Sequence, residues 1–585
     1  MTDATPVTNA TPSAAGTPVS PGEVTKLEMT DVVMVGIGAA GGIASYVLTA
    51  AGLKVVAIEA GPRLGVKEFL AHADELQSSW RWDGEPKFNK EMPTWRRSPD
   101  EKAEVYASGA KMSNMVGGTS VHYAAVSYRF LEYDFKERSS IIERYGEEKL
   151  PKGTAIADWA ITYDELEPYY ENVEKLIGVS GKGGENPFEA PRKSDYPLPP
   201  LQSFGGADYL AETMADLGYH PYRTPAGIIS KDYDGRPACT LCGYCGSYEC
   251  WNNAKSSTLV SAIPHAEKTG NLEIRTNSRV FRVLTDDSGR ASGVEYRGDD
   301  GQMYIQPAKL VILSAYTFEN IRLLLLSAND QFPSGLANNA GQVGKHYISH
   351  TTLFAFGVFP GKNFNRFSGS RAQGFSMDDF YGDNFDHSDL DFVSGADVQT
   401  FPAESNPIGA SRQIAPSVPQ WGSDYANWLH ENANSVLEVE YHIETLPYEG
   451  NYIDLDPDHV DEDGVPVIRF TYDIGENEQR ISEYVGTKVE ELLTHRGATE
   501  TWRGKANPSP MSTHDVGGAR AGDDPETCVL DKHLLTHEIP NLAVLGGAGF
   551  ASISGHNPTE TIEAWAWLAA EHIAENFDSI VNSEA

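Results

Sequence analysis

The stretch DVVMVGIGAAGGIASYVLTAAGLKVVAIEAG, residues 31–61, decides the fold of the chain around it. It predicts a buried strand, a glycine turn, a helix and a second buried strand, which together form a βαβ unit. Gly36, Gly38 and Gly41 form G-x-G-x-x-G directly after the first strand, where backbone amides can approach a pyrophosphate. Glu59 ends the second strand, at the spacing of an acid that binds a ribose hydroxyl. The stretch therefore predicts a dinucleotide site.

The composition and net charge of the chain argue against nucleic acid and membranes as binding partners. The chain has 585 residues, 40% of them hydrophobic, and 46 basic against 83 acidic residues give a formal net charge of -37. Such a charge repels nucleic acid and anionic membrane surfaces, so neither is an expected partner. The sequence has no apolar run long enough to span a bilayer, so no direct membrane insertion is expected. Residues 1–27 are rich in Thr, Ala and Pro, carry no visible export signal and predict a disordered lead.

The rest of the chain predicts an α/β protein with two intertwined domains. We expect a Rossmann-like dinucleotide-binding domain over residues 28–343, interrupted by polar excursions at 62–103 and 136–204. Strand-like segments at 272–284, 292–296 and 310–314 would return to its sheet. Short aromatic and β-branched runs over residues 344–506 predict an α+β substrate domain built on an antiparallel sheet. Residues 507–585 would close the first domain with a terminal helix.

Four of the five cysteines lie in one run, CTLCGYCGSYEC, residues 239–250. The ligand candidates Cys239, Cys242, Cys245 and Cys250 have the spacing C-x2-C-x2-C-x4-C, which is similar to the bacterial ferredoxin run. This clustering argues against a disulfide framework and favours an iron–sulfur cluster, with structural zinc as the alternative. Cys528 stands alone and is expected to be a buried small residue.

Motifs beyond the glycine turn carry a family resemblance over nearly the whole chain. They are VGGTSVHY at 116–123, VILSAYTFENIRLLLLS at 311–327, STHDVGGARAGDD at 512–524, PNLAVLGGAGF at 540–550 and GHNPTETIEAWAWLAAEHI at 555–573. The chain resembles the glucose-methanol-choline oxidoreductases, and within them the large flavoprotein subunits of the gluconate 2-dehydrogenase type. Most superfamily members carry glycine where this chain has Tyr316. The resemblance implies FAD, a choice that the glycine turn alone leaves open.

The resemblance also implies two catalytic residues. His514, in the H-x-x-G pattern, would take the proton of a substrate carbinol as hydride leaves its carbon for the flavin. Asn557, just before the terminal helix, would hold the hydroxyl by hydrogen bonding. Without the motifs, His514 would be read as a core histidine and Asn557 as a helix cap. His556 is a neighbour that could compete for the second role.

Other residues are implied as cofactor neighbours. Gly117, Gly118 and His122 lie in a segment that runs beside the isoalloxazine ring in the superfamily, and His122 matches a position of covalent flavin attachment in pyranose 2-oxidases. Whether His122 carries such a bond stays open. Val280 matches a position whose backbone meets adenine, and Gly547, in PNLAVLGGAGF, is also assigned to cofactor binding.

By resemblance, the chain is expected to be an FAD-dependent dehydrogenase of a sugar, sugar acid or polyol that passes electrons through the cluster to a cytochrome-type acceptor. Relatives carry a three-iron cluster on three cysteines. Four cysteines leave a four-iron cluster possible and the spare cysteine undetermined. The alternatives are an oxygen-using enzyme like pyranose 2-oxidase and a non-catalytic electron-transfer subunit.

The implied partners are a small subunit with a twin-arginine signal and a cytochrome c-type subunit. Export as their passenger favours a periplasmic location, with a cytoplasmic enzyme as the alternative. Substrate specificity is expected from the second domain, where Phe354, Phe380, Tyr381 and Trp421 could stack on a sugar.

Overall fold

The computed structural model describes residues 24–71, 75, 92–106, 113–246, 248–404, 407–411, 413–510 and 513–583. Most of the predicted disordered lead, residues 1–23, lies outside the described residues. The same holds for residues 72–74 and 76–91 of the first predicted excursion and for Ser512 at the start of one motif.

A mixed sheet carries the predicted dinucleotide end. Its strands, from one edge to the other, are Leu272–Arg275, Val55–Ile58, Thr30–Val35, Met303–Leu313, Ala291–Arg297 and Arg279–Thr285, and Thr25–Lys26 and Leu542–Val544 also pair with Met303–Leu313. Neighbours are parallel from Leu272–Arg275 to Met303–Leu313, and antiparallel beyond it. The predicted strand over 272–284 is two strands, because the chain turns at Asn277 with a φ of 51°. The predicted α/β fold with an antiparallel second sheet is confirmed.

Helices pack on both sheets. They are Ala39–Ala50, Val66–Ala71, Glu132–Phe135, Glu137–Tyr145, Tyr163–Ile177, Gly205–Asp216, Ala262–Lys268, Thr317–Leu326, Pro407–Ala410, Ser423–Asn432, Glu476–His495, Thr559–Glu575 and Phe577–Asn582, with 3-10 turns at Gly118–Val121, Glu147–Lys149 and Gly547–Gly549. The glycine-turn helix Ala39–Ala50 packs against the terminal helix Thr559–Glu575. Within the described ranges, no helix is long and apolar enough to cross a membrane.

The second sheet is antiparallel and has six strands. In order they are Glu500–Arg503, Thr351–Val358, Val436–Ile443, Ala396–Phe401, Phe375–Met377 and Tyr222–Arg223. Helices Gly205–Asp216 and Glu476–His495 cover one face with apolar side chains. The edge strand Tyr222–Arg223 and helix Gly205–Asp216 come from the range expected for the first domain, so the two halves are interwoven. The exact domain boundaries stay predictions.

Two smaller sheets tie the halves together. One contains Tyr452–Val460, Pro466–Thr471, Thr94–Arg96 and Glu104–Val105. The other pairs Ile348–Ser349 with Asp515–Val516 in antiparallel register, Ile348 opposite Val516 and Ser349 opposite Asp515. This short pairing brings the segment after residue 507 against the start of the second sheet.

The glycine turn yields a test of packing. Gly36 has a φ of +83°, and a Cβ there would lie 2.7 Å from the Ser314 carbonyl oxygen. Gly52, at the other end of the same helix, has a φ of +92° and open space around it. Both Gly→Ala changes cost about 1–2 kcal/mol for the left-handed backbone, but only Gly36→Ala must also displace Ser314. We expect Gly36→Ala to lower the thermal unfolding midpoint more than Gly52→Ala, and equal losses would contradict this.

Candidate active site

A cavity of about 870 Å³ lies between the two main sheets. Gly36, Gly38 and Glu59 line one part of it, and His514 and Asn557 line another. The residues predicted from two distant parts of the sequence therefore share one cavity. A lining that includes both the glycine turn and the His514 and Asn557 pair suits a dinucleotide whose far end meets a small substrate.

The glycine end is built for close backbone approach. A Cβ on Gly118 would lie 2.8 Å from the Gly38 Cα, and one on Gly41 would lie 2.6 Å from the Gly36 carbonyl oxygen. Gly41 therefore serves the tight turn and does not line the cavity. The Glu59 carboxylate accepts hydrogen bonds from the amides of Ile37, at 3.2 Å, and Gly61, at 2.9 Å. These contacts fix the acid at the mouth of the helix.

Four more of the residues that the resemblance assigns to cofactor binding line the same cavity. Gly118, His122, Val280 and Gly547 line the cavity. Gly117 lies just behind the lining and has a φ of 92°, which a side chain would adopt only with strain. His122 is buried.

His514 and Asn557 are in direct contact. The Asn557 amide nitrogen lies 3.2 Å from His514 Nε2. His514 Nδ1 lies 3.0 Å from Nδ1 of a second buried histidine, His350. His556, the predicted competitor, points elsewhere: its Nε2 lies 3.2 Å from the Asp378 carboxylate, and it does not line the cavity.

The uncovered face of the second sheet supplies a polar wall. Side chains two apart on one strand share a face, so Asp397 and Gln399 lie beside Glu440 and His442 of the neighbouring strand. His442 Nε2 lies 3.0 Å from a Glu440 oxygen and its Nδ1 lies 3.4 Å from an Asp397 oxygen. The Gln399 amide nitrogen contacts Asp397, and lies 3.1 Å from His442 Nδ1 and 3.3 Å from Asn557 Oδ1.

Of the three histidines at this wall, His442 is charged and the other two, His514 and His350, are neutral. Burial opposes a charge on His442, but Asp397 and Glu440 raise its pKa to about 10. Burial, and then the His442 cation, lower the pKa of His514 to about 3. Burial, and then the charge of His442, lower the pKa of His350 well below its usual range. At neutral pH, His514 is therefore a neutral imidazole beside a cation.

Asp515 holds the segment that carries His514. Its carboxylate accepts hydrogen bonds from the hydroxyls of Tyr316, at 2.8 Å, and Tyr347, at 2.5 Å. Its carbonyl oxygen accepts one from the Thr317 hydroxyl at 2.6 Å. Tyr316 has a φ of 83°, so this chain places a tyrosine in a conformation that favours glycine and uses its hydroxyl. Burial raises the pKa of Asp515 to about 7.

Beyond His442 the cavity wall stays polar. Arg371 Nη2 donates to Glu440 at 2.8 Å and to Glu438 at 3.4 Å. Of the four aromatic residues suggested for stacking, Phe354 lines the cavity, Phe380 and Tyr381 are buried in packing and Trp421 is 84% exposed. This wall thus offers a ligand carboxylate oxygens, the Arg371 guanidinium and aromatic rings that include Phe354, Phe356 and Phe401.

The cysteine loop forms part of the same wall. All four cysteines are free thiols, and Gly246 and Tyr248 of the loop line the cavity. The buried Lys255 ammonium donates to the carbonyl oxygens of Tyr123, at 2.9 Å, Cys245, at 2.7 Å, and Tyr248, at 2.6 Å. Among the residues that the structure describes, no three His, Cys, Asp or Glu side chains are grouped as ligands of a metal ion.

Sequence reasoning missed His350, Gln399, Glu440, His442 and Asp515. For two of them a signal was present. In SVLEVEYHIE, residues 435–444, Glu438, Glu440 and His442 alternate with Leu437, Val439 and Tyr441. That period-two pattern predicts one polar and one apolar face on a strand. His350, Gln399 and Asp515 had no such signal.

The chain is similar to known proteins both in its sequence and in its fold. Sequence models described as GMC oxidoreductase match residues 212–352 and 447–566. The chain is 32% identical to the gluconate 2-dehydrogenase flavoprotein of Pantoea cypripedii, over 94% of each chain. It is 28% identical to the fructose dehydrogenase large subunit of Gluconobacter japonicus, over 93% of this chain and 97% of the relative. A formate oxidase variant of Aspergillus oryzae RIB40 has the same fold, with a TM-score of 0.63, 14% identity and coverage of 95% and 99%.

The His442 cation can be tested directly. His442→Gln removes the charge that lowers the pKa of His514 while Glu440, which raises it, remains. We expect the pKa of His514 to rise in a histidine-labelled NMR titration. The control is His556→Gln, which removes another buried histidine whose pKa its carboxylate neighbours raise to about 9. An unchanged His514 titration in His442→Gln would refute the electrostatic coupling.

Proposed function

The chain belongs to the GMC oxidoreductase family, and on that premise we propose that it oxidises a carbinol of a sugar, sugar acid or polyol to a carbonyl, with FAD as hydride acceptor. The observation that carries the proposal is the contact between His514 and Asn557 at 3.2 Å inside the cavity that also holds the glycine turn. The dehydrogenase relatives support a sugar or polyol substrate.

The residues present fit FAD. The close approach of Gly38 and Gly118 leaves a cradle that a Cβ would fill, and Glu59 is fixed at the helix mouth. Gly36, Gly38, Glu59 and Val280 would hold the nucleotide part, with Gly118, His122 and Gly547 along the ring. When bound, FAD supplies the hydride acceptor.

His514 would take the carbinol proton. Burial and the His442 cation lower its pKa, so the imidazole is neutral at working pH and has a lone pair for the proton, although it is a weaker base than a free imidazole. Asn557 would hold the substrate oxygen next to His514 Nε2 by donating a hydrogen bond. The nearby His442 cation stabilises negative charge that develops on that oxygen.

The proposal predicts a loss of chemistry without a loss of cofactor. His514→Ala should slow anaerobic bleaching of the flavin by substrate about 10²–10⁴-fold, the usual contribution of a positioned base. The flavin absorbance of the purified variant should be unchanged. His430→Ala, on the exposed surface, is the matched control. Near-normal bleaching in His514→Ala would remove the base from the proposal, and stoichiometric peroxide from the native protein would favour an oxidase.

For the electrons' exit we propose an iron–sulfur cluster held by cysteines of residues 239–250, with three irons favoured by resemblance. Cys239 and Cys250 both pack against the small buried cluster of Leu198, Ile229 and Ala254, and burial raises the pKa of the Cys239 thiol to about 11. A metal cluster bound here would displace the thiol protons, because the thiolate is the form of cysteine that ligates metal. Bound there, a cluster would carry single electrons between the flavin side and an outside acceptor.

The cluster can be tested without knowing which cysteine is spare. If three of four cysteines are ligands, the double variant Cys239→Ser/Cys245→Ser loses at least one ligand. We expect it to lose iron and acid-labile sulfide, while Cys528→Ser keeps both and keeps the paramagnetic signal of the oxidised protein. Zinc in place of iron, or equal iron in the two variants, would overturn the cluster.

We further propose that the chain works with a small subunit carrying a twin-arginine signal and with a cytochrome c-type subunit, in the periplasm. The support is that relatives are named as a large subunit and as a flavoprotein. Co-purification from the native host tests the assembly.

A further inference from the structure

The short strand pair at the active site brings a second histidine against His514. Ile348 pairs with Val516 and Ser349 with Asp515, so the next position in this antiparallel register places His350 opposite His514. The two side chains meet at their Nδ1 atoms, 3.0 Å apart. One nitrogen must donate and the other must accept, and the surrounding groups decide which.

The donor and acceptor roles in this network are fixed first at the Asp397 carboxylate. The Gln399 amide nitrogen donates to Asp397, because an amide NH2 group can only donate. His442, held protonated on both ring nitrogens between Asp397 and Glu440, cannot accept the other hydrogen of that amide. That hydrogen therefore goes to Asn557 Oδ1, 3.3 Å away.

The Gln399 bond to Asn557 then determines the direction of the next two hydrogen bonds. With its oxygen turned toward Gln399, Asn557 presents its amide nitrogen to His514 Nε2 at 3.2 Å. His514 Nε2 accepts that bond, so it carries the lone pair and the ring hydrogen is on Nδ1. His514 Nδ1 consequently donates to His350 Nδ1. His350 is left with its hydrogen on Nε2, which is buried and has no hydrogen-bond partner among the described residues.

We infer that His350 is a positioning residue, which accepts the His514 Nδ1 hydrogen and thereby keeps the His514 lone pair on Nε2, the nitrogen that faces Asn557 and the cavity. The inference rests on the proposed role of His514 as base. Burial and the His442 charge keep His350 neutral, so it remains an acceptor throughout. A histidine in the other tautomer would present a hydrogen where the substrate proton has to go.

Two variants of His350 separate positioning from packing. His350→Asn keeps a carbonyl oxygen near the place of Nδ1, whereas His350→Leu fills similar space without an acceptor. In anaerobic flavin reduction we expect His350→Leu to lower the limiting rate about 30-fold, a part of what a positioned base contributes, with the substrate concentration for half-maximal rate within about twofold. His350→Asn should recover to within about fivefold of the native rate. His346→Leu, four residues earlier, should change neither value by more than about twofold.

A second measurement does not need turnover. In histidine-labelled native protein, the nitrogen spectrum of His514 should show the hydrogen on Nδ1, and His350→Leu should show a mixture of tautomers. A native His514 with its hydrogen on Nε2 would overturn the inference, as would a native reduction rate in His350→Leu, or equal losses in both His350 variants with FAD retained. If no sugar or polyol bleaches the native flavin, the proposed function fails, while the tautomer measurement still decides the role of His350.

Discussion

One buried carboxylate, Asp515, joins the two halves of the molecule at the point where the chemistry would occur. It binds Tyr316, at the start of a helix of the first half, and Tyr347, which leads into the second sheet. Its backbone pairs with Ser349 in the short strand pair. These bonds hold the adjacent His514 at a φ of 57°, a left-handed conformation that costs about 1–2 kcal/mol. The direction of the His514 side chain therefore depends on contacts from both halves.

The second constraint is the buried charge of His442. Removing an imidazolium from water costs several kcal/mol unless carboxylates compensate, and here Asp397 and Glu440 do so. A buried ion group of this kind is weak evidence for stability, because apolar side chains of similar volume often stabilise as well or better. Its effect on the neighbouring His514, which it holds neutral, gives the arrangement a chemical reason to exist.

The sequence predicted those site residues whose positions are set by neighbouring residues in the chain, and missed those whose positions are set by pairing between distant segments. The glycine turn and Glu59 lie within one βαβ unit, so spacing alone predicts their cavity position. His514 and Asn557 came from family motifs. His350 and Gln399 could not be predicted, because their positions follow from strand registers between segments up to about 160 residues apart, as with His350 and His514. Tyr316 was noted as a departure from glycine, but its bond to Asp515 requires the folded register.

The position of the cysteine loop is also fixed by a buried charged group with satisfied hydrogen bonds, here Lys255. Lys255 is 2% exposed, and a buried ammonium is tolerated only when its donors are satisfied. All three of its hydrogens can be used by the carbonyl oxygens of Tyr123, Cys245 and Tyr248. Tyr123 directly follows His122 in the segment along the cavity, so displacing the loop would leave a buried cation without acceptors. The thiols are therefore held at a defined place against the cavity wall, because one lysine ties the loop and the His122 segment together.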